Sequence, residues 1–245
     1  MKQFIKNPFE RTQKCMVLVY ALCLLACVAN AQTEKKPVWD FPGKEERASL
    51  KNRKEMMEAY QIPQEVLNTL STKDLAEICF NYPLYFEFTA FNDERKGISL
   101  MIERFNGLKE LSNRKDGARE LINIYQTLPV FDENRQIIPD KQYPMLLKFD
   151  YLELLLSDDA FAKQMDEQTA TALGKIVLDK YEGKLEHIHA YGIHGIRNSF
   201  LLGAIVLEKS SRSAEQQAAV KQFINNYRHA NPDMLTEISK IISGL

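Results

Sequence analysis

Beyond residue 31 this sequence has almost no cysteine. Cys79 stands alone there, while Cys15, Cys23 and Cys27 fall within the first 27 residues. A single thiol closes no internal bridge, so stability must come from packing. Missing as well are a glycine-rich phosphate loop, a GxSxG elbow, a CxxC pair and the HExxH spacing of zinc helices. Without them the sequence offers no case for nucleotide hydrolysis, serine-type acyl transfer, dithiol exchange or helix-borne zinc hydrolysis. No β-hairpin signal interrupts the chain, and no internal repeat of fixed length aligns.

What is present begins with an address. Lys2, Lys6, Arg11 and Lys14 lead into the apolar run CMVLVYALCLLACVA, residues 15–29. Ala29-Asn30-Ala31 then places small residues at the −3 and −1 positions of a signal-peptidase cut after Ala31. The run is shorter than the ~20 apolar residues of a membrane span, so cleavage is favoured over a retained anchor and no transmembrane span is expected in the mature chain. Leu24-Leu25-Ala26-Cys27 resembles a lipobox, and on that alternative Cys27 is lipidated and holds the protein in the outer membrane. The leader, residues 1–31, holds four of the 32 Lys+Arg and one of the 33 Asp+Glu, leaving 28 against 32 and a net charge of −4. A mildly acidic body with mixed charges argues against nucleic acid, whose binders carry a concentrated basic footprint.

The rest reads as helix. Pro63 opens a short helix with Val66, Leu67 and Leu70, and Ser71 with Asp74 caps the next, which bears Leu75, Ile78, Cys79 and Tyr82. Asn92 or Asp93 caps a helix with Ile98, Met101, Ile102 and Phe105. Asp116 starts another with Ala118, Leu121, Ile122 and Tyr125. NYPLYFEFTAF, residues 81–91, fits both periods; with no partner strand in view it is expected to be a buried helix or irregular segment. Three prolines between Leu128 and Pro144 make residues 129–144 a connection between an N-terminal half (32–128) and a C-terminal half (145–245), the two forming one unit. MLLKFDYLELLL, 145–156, is apolar nearly all round and predicts a covered central helix; FLLGAIVL, 200–207, predicts a second. Ser213 and Asn231-Pro232 cap the last two helices. The expectation is an all-α fold, either an irregular helical bundle or a short α-solenoid-like array of about nine helices.

Four features invite chemistry. EHIHAYGIHG, 186–195, holds His187, His189 and His194, which as a metal site would serve a hydrolase with Glu186 as helper. No regular conformation gathers all three, so the plainer reading is a helix end followed by a glycine turn into a helix capped by Asn198 or Ser199. Cys79 lies on an apolar stripe and reads as core. The aromatics of 80–91 with Trp39, and Tyr85 among them, could stack on a glycan; aromatics at helical spacing read first as core. Asp150 and Glu153 share a helix face like an acid/base pair, a spacing that a solvated face also produces.

The segments STKDLAEICFNYPLYFEFTAFNDERKG and FNGLKELSNRKDGARELI resemble a group of small exported proteins of Gram-negative gut bacteria, over about residues 62–125. The pattern is a short helix after Ile62-Pro63, then "ST-D-L--IC--YPL", then "FNG--EL--R". No activity attaches to that group, so the resemblance implies export and no functional residue. The reading that follows is an exported, non-catalytic binding module at the cell envelope, with no cofactor and with a protein, peptide or glycan as partner. Metal-dependent hydrolysis at the histidine tract and glycan binding at exposed aromatics are the alternatives.

Overall fold

The computed structural model describes residues 39–130, 139–209 and 212–244; the signal cut at Ala31 and the lipobox at Cys27 lie outside them. Every regular element among the described residues is helical, and ten helices have seven or more residues. The fold is therefore all-α, as the apolar spacing predicts. Among the described residues no helix is long and apolar enough to cross a membrane.

The N-terminal part runs through α1 (Lys44–Ser49), α2 (Arg53–Ala59), α3 (Gln64–Leu67) and α4 (Thr72–Phe80). A 3-10 turn at Tyr85–Ala90 is followed by α5 (Glu94–Arg104), α6 (Asn106–Asn113) and α7 (Gly117–Thr127). The predicted caps at Ser71 and Asp93 form: the Asp74 backbone N–H donates to the Ser71 hydroxyl and the Arg95 N–H to the Asp93 carboxylate. Asp116 makes no such bond; Gln164 Oε1 accepts from the Ala118 N–H instead, at 2.8 Å. The ambiguous aromatic run is neither strand nor α-helix. Its Tyr82, Leu84 and Phe88 are buried, with Tyr82 stacked on Phe105 at 4.1 Å and 7°.

The positions of the "FNG--EL--R" pattern prove to be joinery. Asn106 accepts from the Ile62 N–H at 2.9 Å and donates to the Ile62 carbonyl at 2.7 Å. Leu111 is fully buried, and the Arg114 guanidinium donates to the carbonyls of Leu70 and Leu67 at the end of α3. These contacts satisfy carbonyls that a short helix leaves without partners.

The C-terminal part comprises α8 (Pro139–Ser157), α9 (Asp159–Ala162), α10 (Glu167–Glu186), α11 (Ile188–Glu208), α12 (Ala214–Asn226) and α13 (Pro232–Ile242). Two expectations change here. Residues 139–144, assigned above to the connection, already belong to α8, with Pro144 inside it. A helix also occupies Asn106–Asn113, where no separate one was expected.

Helix α8 joins the two parts. It packs against α5, α7, α9 and the 3-10 turn on one side and against α11 on the other, and α11 meets α8, α10, α12 and α13. A helix with four helical neighbours belongs to an irregular bundle rather than a one-dimensional stack. The described residues make one compact unit. At the crossing of α11 and α13 the Ile242 side chain packs over Gly203: a Cβ there would stand 2.4 Å from Ile242 Cδ1, which would have to swing aside.

Near its start α11 is kinked at Gly192, whose φ of 64° and ψ of −179° break the helix. Only glycine adopts that conformation readily. A Cβ at this position would meet nothing within 4 Å, so the backbone alone makes the demand. Gly192→Ala should lower stability by about 1–3 kcal/mol in urea denaturation despite the empty space around it; an unchanged midpoint would refute the assigned strain.

Candidate functional site

The charges of α8 lie inside the protein. From Tyr151 to Ser157 every side chain of the helix is buried, and Glu153 has no exposed surface. This corrects the solvated face expected for Asp150 and Glu153. A helix that is apolar on all sides has no such face, so an acid in its middle needs a partner brought to it.

That partner is Lys184, from the last turn of α10. Its ammonium donates to Glu153 Oε1 at 2.8 Å, to Oε2 at 2.7 Å and to the Gly195 carbonyl at 3.1 Å. All three donors of the lysine are used. Glu153 Oε1 also accepts from the Tyr125 hydroxyl of α7 and the Ser199 hydroxyl of α11, each at 2.8 Å. The rings of Phe149 and Tyr191 lie 5.1 and 5.4 Å from the ammonium. Four helices therefore send a side chain or a carbonyl to one fully buried ion pair.

Asp150 flanks the pair and is only partly buried. Asn198 of α11 donates to its Oδ1 at 3.1 Å. Asn198 and Ser199, expected as caps, lie within α11 and fasten it to α8 through the two acids. Burial pushes the Glu153 and Asp150 carboxyls up, and the Lys184 ammonium beside them pulls both back. Burial, with Glu153 next to it, holds the Tyr125 phenol well above its ordinary value.

Acid, amine, phenol and hydroxyl are the ingredients of acid–base catalysis, but here each is spent on its neighbour. Catalysis requires a donor or acceptor within reach of substrate. Glu153, Lys184 and Ser199 have no exposed surface at all. The arrangement is a clamp, with every strong hydrogen bond turned inward.

Another cation, Lys148 of α8, is partly buried and forms no ion pair with a carboxylate among the described residues. Its ammonium donates to the Phe80 carbonyl and faces the rings of Phe80 and Tyr85 at 4.3 and 4.2 Å. Burial lowers it from 10.5 to about 8.

The other predicted site residues stay apart. His187 caps the C-terminal end of α10, His189 lies in α11 before the Gly192 kink and His194 in α11 after it, with His189 and His194 exposed. The rings of His187 and His189 are 6.3 Å apart. Among the described residues no group of three or more His, Cys, Asp or Glu is placed to hold a metal ion. Trp39 packs edge-on against Phe41 at 4.7 Å, and Tyr85 packs against Tyr151 and donates to the Pro144 carbonyl. Cys79 is fully buried, and burial pushes its thiol well up, away from the reactive thiolate.

Facing solvent is an open groove of about 620 Å³ between α2 and α5, lined by Arg53, Lys54, Met57, Glu58, Gln61 and Arg104. Arg53 is fixed there by two bonds to Glu87, at 3.0 and 2.8 Å. Comparison of the chain with family models, curated proteins and solved structures finds no match.

Two measurements test the clamp and the partly buried Lys148. Lys184→Met should cost about 3–5 kcal/mol in urea denaturation, because it strands a buried carboxylate, and adding Glu153→Leu should recover part of that loss. Additive losses would show that the two residues do not act as a pair. For Lys148, the unfolded chain holds the proton to a higher pH than the folded one. The penalty for burying the charge is thus complete below pH 8 and gone above 10.5. The wild type should gain stability relative to Lys148→Met between those values; a constant difference would contradict the lowered ammonium.

Proposed function

We propose that this chain is an exported, non-catalytic helical module that binds a protein, peptide or glycan at the cell envelope. One observation carries the reading: the constellation of acid, amine and hydroxyls found among the described residues is saturated and shut away from any substrate, with Glu153 and Lys184 both at 0% exposure. What the protein offers outward is contact surface, namely the α2–α5 groove and an apolar tip at the α10–α11 turn. The basic leader, the apolar run and the cut after Ala31, with lipidation at Cys27 as the alternative anchor, support export. A clamp that ties helices together serves such a module by holding its outer surface in one shape before a partner arrives, which lowers the ordering cost of binding.

The test is photo-crosslinking in intact cells from a benzophenone amino acid at Lys54, Arg104, Leu185, Ile188 and, as a control, Gln168. The module reading expects a discrete adduct with an envelope component from at least one of the first four positions and none from Gln168. An absence of adducts at all five would overturn it. So would a purified activity that Glu153→Gln abolishes while the fold is kept.

A further inference from the structure

The clamp brings two acids to one amine. Lys184 sends its three N–H groups to Glu153 Oε1, Glu153 Oε2 and the Gly195 carbonyl, so none is left for Asp150. Asp150 has instead one amide donor, Asn198 Nδ2 at 3.1 Å, and forms no ion pair among the described residues. Its carboxyl also lies close to the backbone of α11: a Cβ on Gly195 would stand 3.6 Å from Asp150 Oδ1.

The charges around Asp150 are out of balance. Glu153 of α8 and Glu94 of α5 are carboxylates that repel it, and the Tyr125 phenol of α7 lies within its field. Against them stand Lys184 of α10, whose donors are spent, and the exposed His194 of α11. Burial pushes the Asp150 carboxyl above its ordinary 3.8, and Lys184 and Asn198 pull it only part of the way back.

This acid sits beside a hinge. Gly192, with its φ of 64°, interrupts α11 three residues before Gly195. The helix after the kink therefore takes its seat on α8 without support from the turn before it. Two polar fastenings hold it there, Asn198 on Asp150 and Ser199 on Glu153. Ionising Asp150 sets a carboxylate without a cation of its own inside that seat, one turn of α8 from Glu153.

We propose that Asp150 is the proton-binding site of the clamp: as a neutral acid it seats the helix after Gly192 on α8, and its ionisation loosens that seat. The device is a latch closed by acid, and it stands whatever the module binds. A carboxyl that holds its proton more tightly folded than unfolded contributes stability that is complete below 3.8 and is lost as the pH rises through its folded-state value.

Urea denaturation of the purified protein from about pH 4 to about pH 8 tests the latch. Relative to Asp150→Asn, which mimics the neutral acid, the wild-type folding constant should fall by up to ~10-fold per pH unit until the acid has ionised. His194→Gln should follow the wild type. A constant ratio between wild type and Asp150→Asn would overturn the proposal, as would a pH dependence that His194→Gln removes and Asp150→Asn keeps. Carboxyl-carbon NMR of the wild type needs no variant to fold: the Asp150 midpoint should lie above 3.8, and a midpoint at or below that value refutes the proton site. Amide exchange, corrected for its intrinsic pH dependence, should quicken with pH at residues 195–199 and stay level in α4; equal change in both would show that no local seat is released.

Discussion

The fold turns on the ion pair between Glu153 and Lys184. Removing two charges from water is expensive, and their attraction repays the cost only where geometry is good and the remaining hydrogen-bonding capacity is filled. Here the ammonium has three acceptors, and the carboxylate takes two hydroxyls besides the lysine. The partners come from α7, α8, α10 and α11, so the pair can be satisfied only when those helices hold one mutual arrangement. Apolar packing tolerates sliding and repacking; a saturated charge pair does not. The net contribution to stability is modest, and the contribution to a single arrangement is large.

That division of labour explains the plan of the molecule. The N-terminal part is held by apolar contacts and by short polar fastenings such as Asn106 on Ile62 and Arg114 on the α3 carbonyls. The C-terminal part is held by two buried helices, α8 and α11, whose polar residues face each other through Asp150–Asn198 and Glu153–Ser199. Tyr125 reaches across from α7 and links the two parts. The outward consequence is a rigid turn at residues 187–195, since the same lysine that neutralises Glu153 also holds the Gly195 carbonyl.

Most of the architecture was legible in the sequence because it follows from spacing. The stripes of α4, α5 and α7, the Ser71, Ser213 and Asn231 caps, and the wholly apolar runs of α8 and α11 all lie where period and cap chemistry put them. Boundaries set by weak signals were less legible. Helix α6 hides in a polar stretch with few apolar positions, and α8 begins before Pro144, where proline suggested a loop. The candidate site was half legible. Asp150 and Glu153 stood out, but their i, i+3 spacing is equally that of a wet surface. The run around them carried the deciding signal, for MLLKFDYLELLL has no wet side. Lys184 could not have been found, because nothing local distinguishes it from the exposed charges Glu182 and Glu186 beside it. Its burial is settled by tertiary contact alone.

The dent at Gly203 bears on the order in which the molecule closes. That glycine lets Ile242 of α13 pack close to the backbone of α11, so part of the highly apolar α11 is covered by an element that follows it in the chain. A polypeptide emerging residue by residue shows FLLGAIVL well before its cover exists. Until then the segment is an adhesive surface that must be shielded by other means. Cover of this face is deferred to α13, and a nascent or clipped form lacking it would be sticky rather than merely loose.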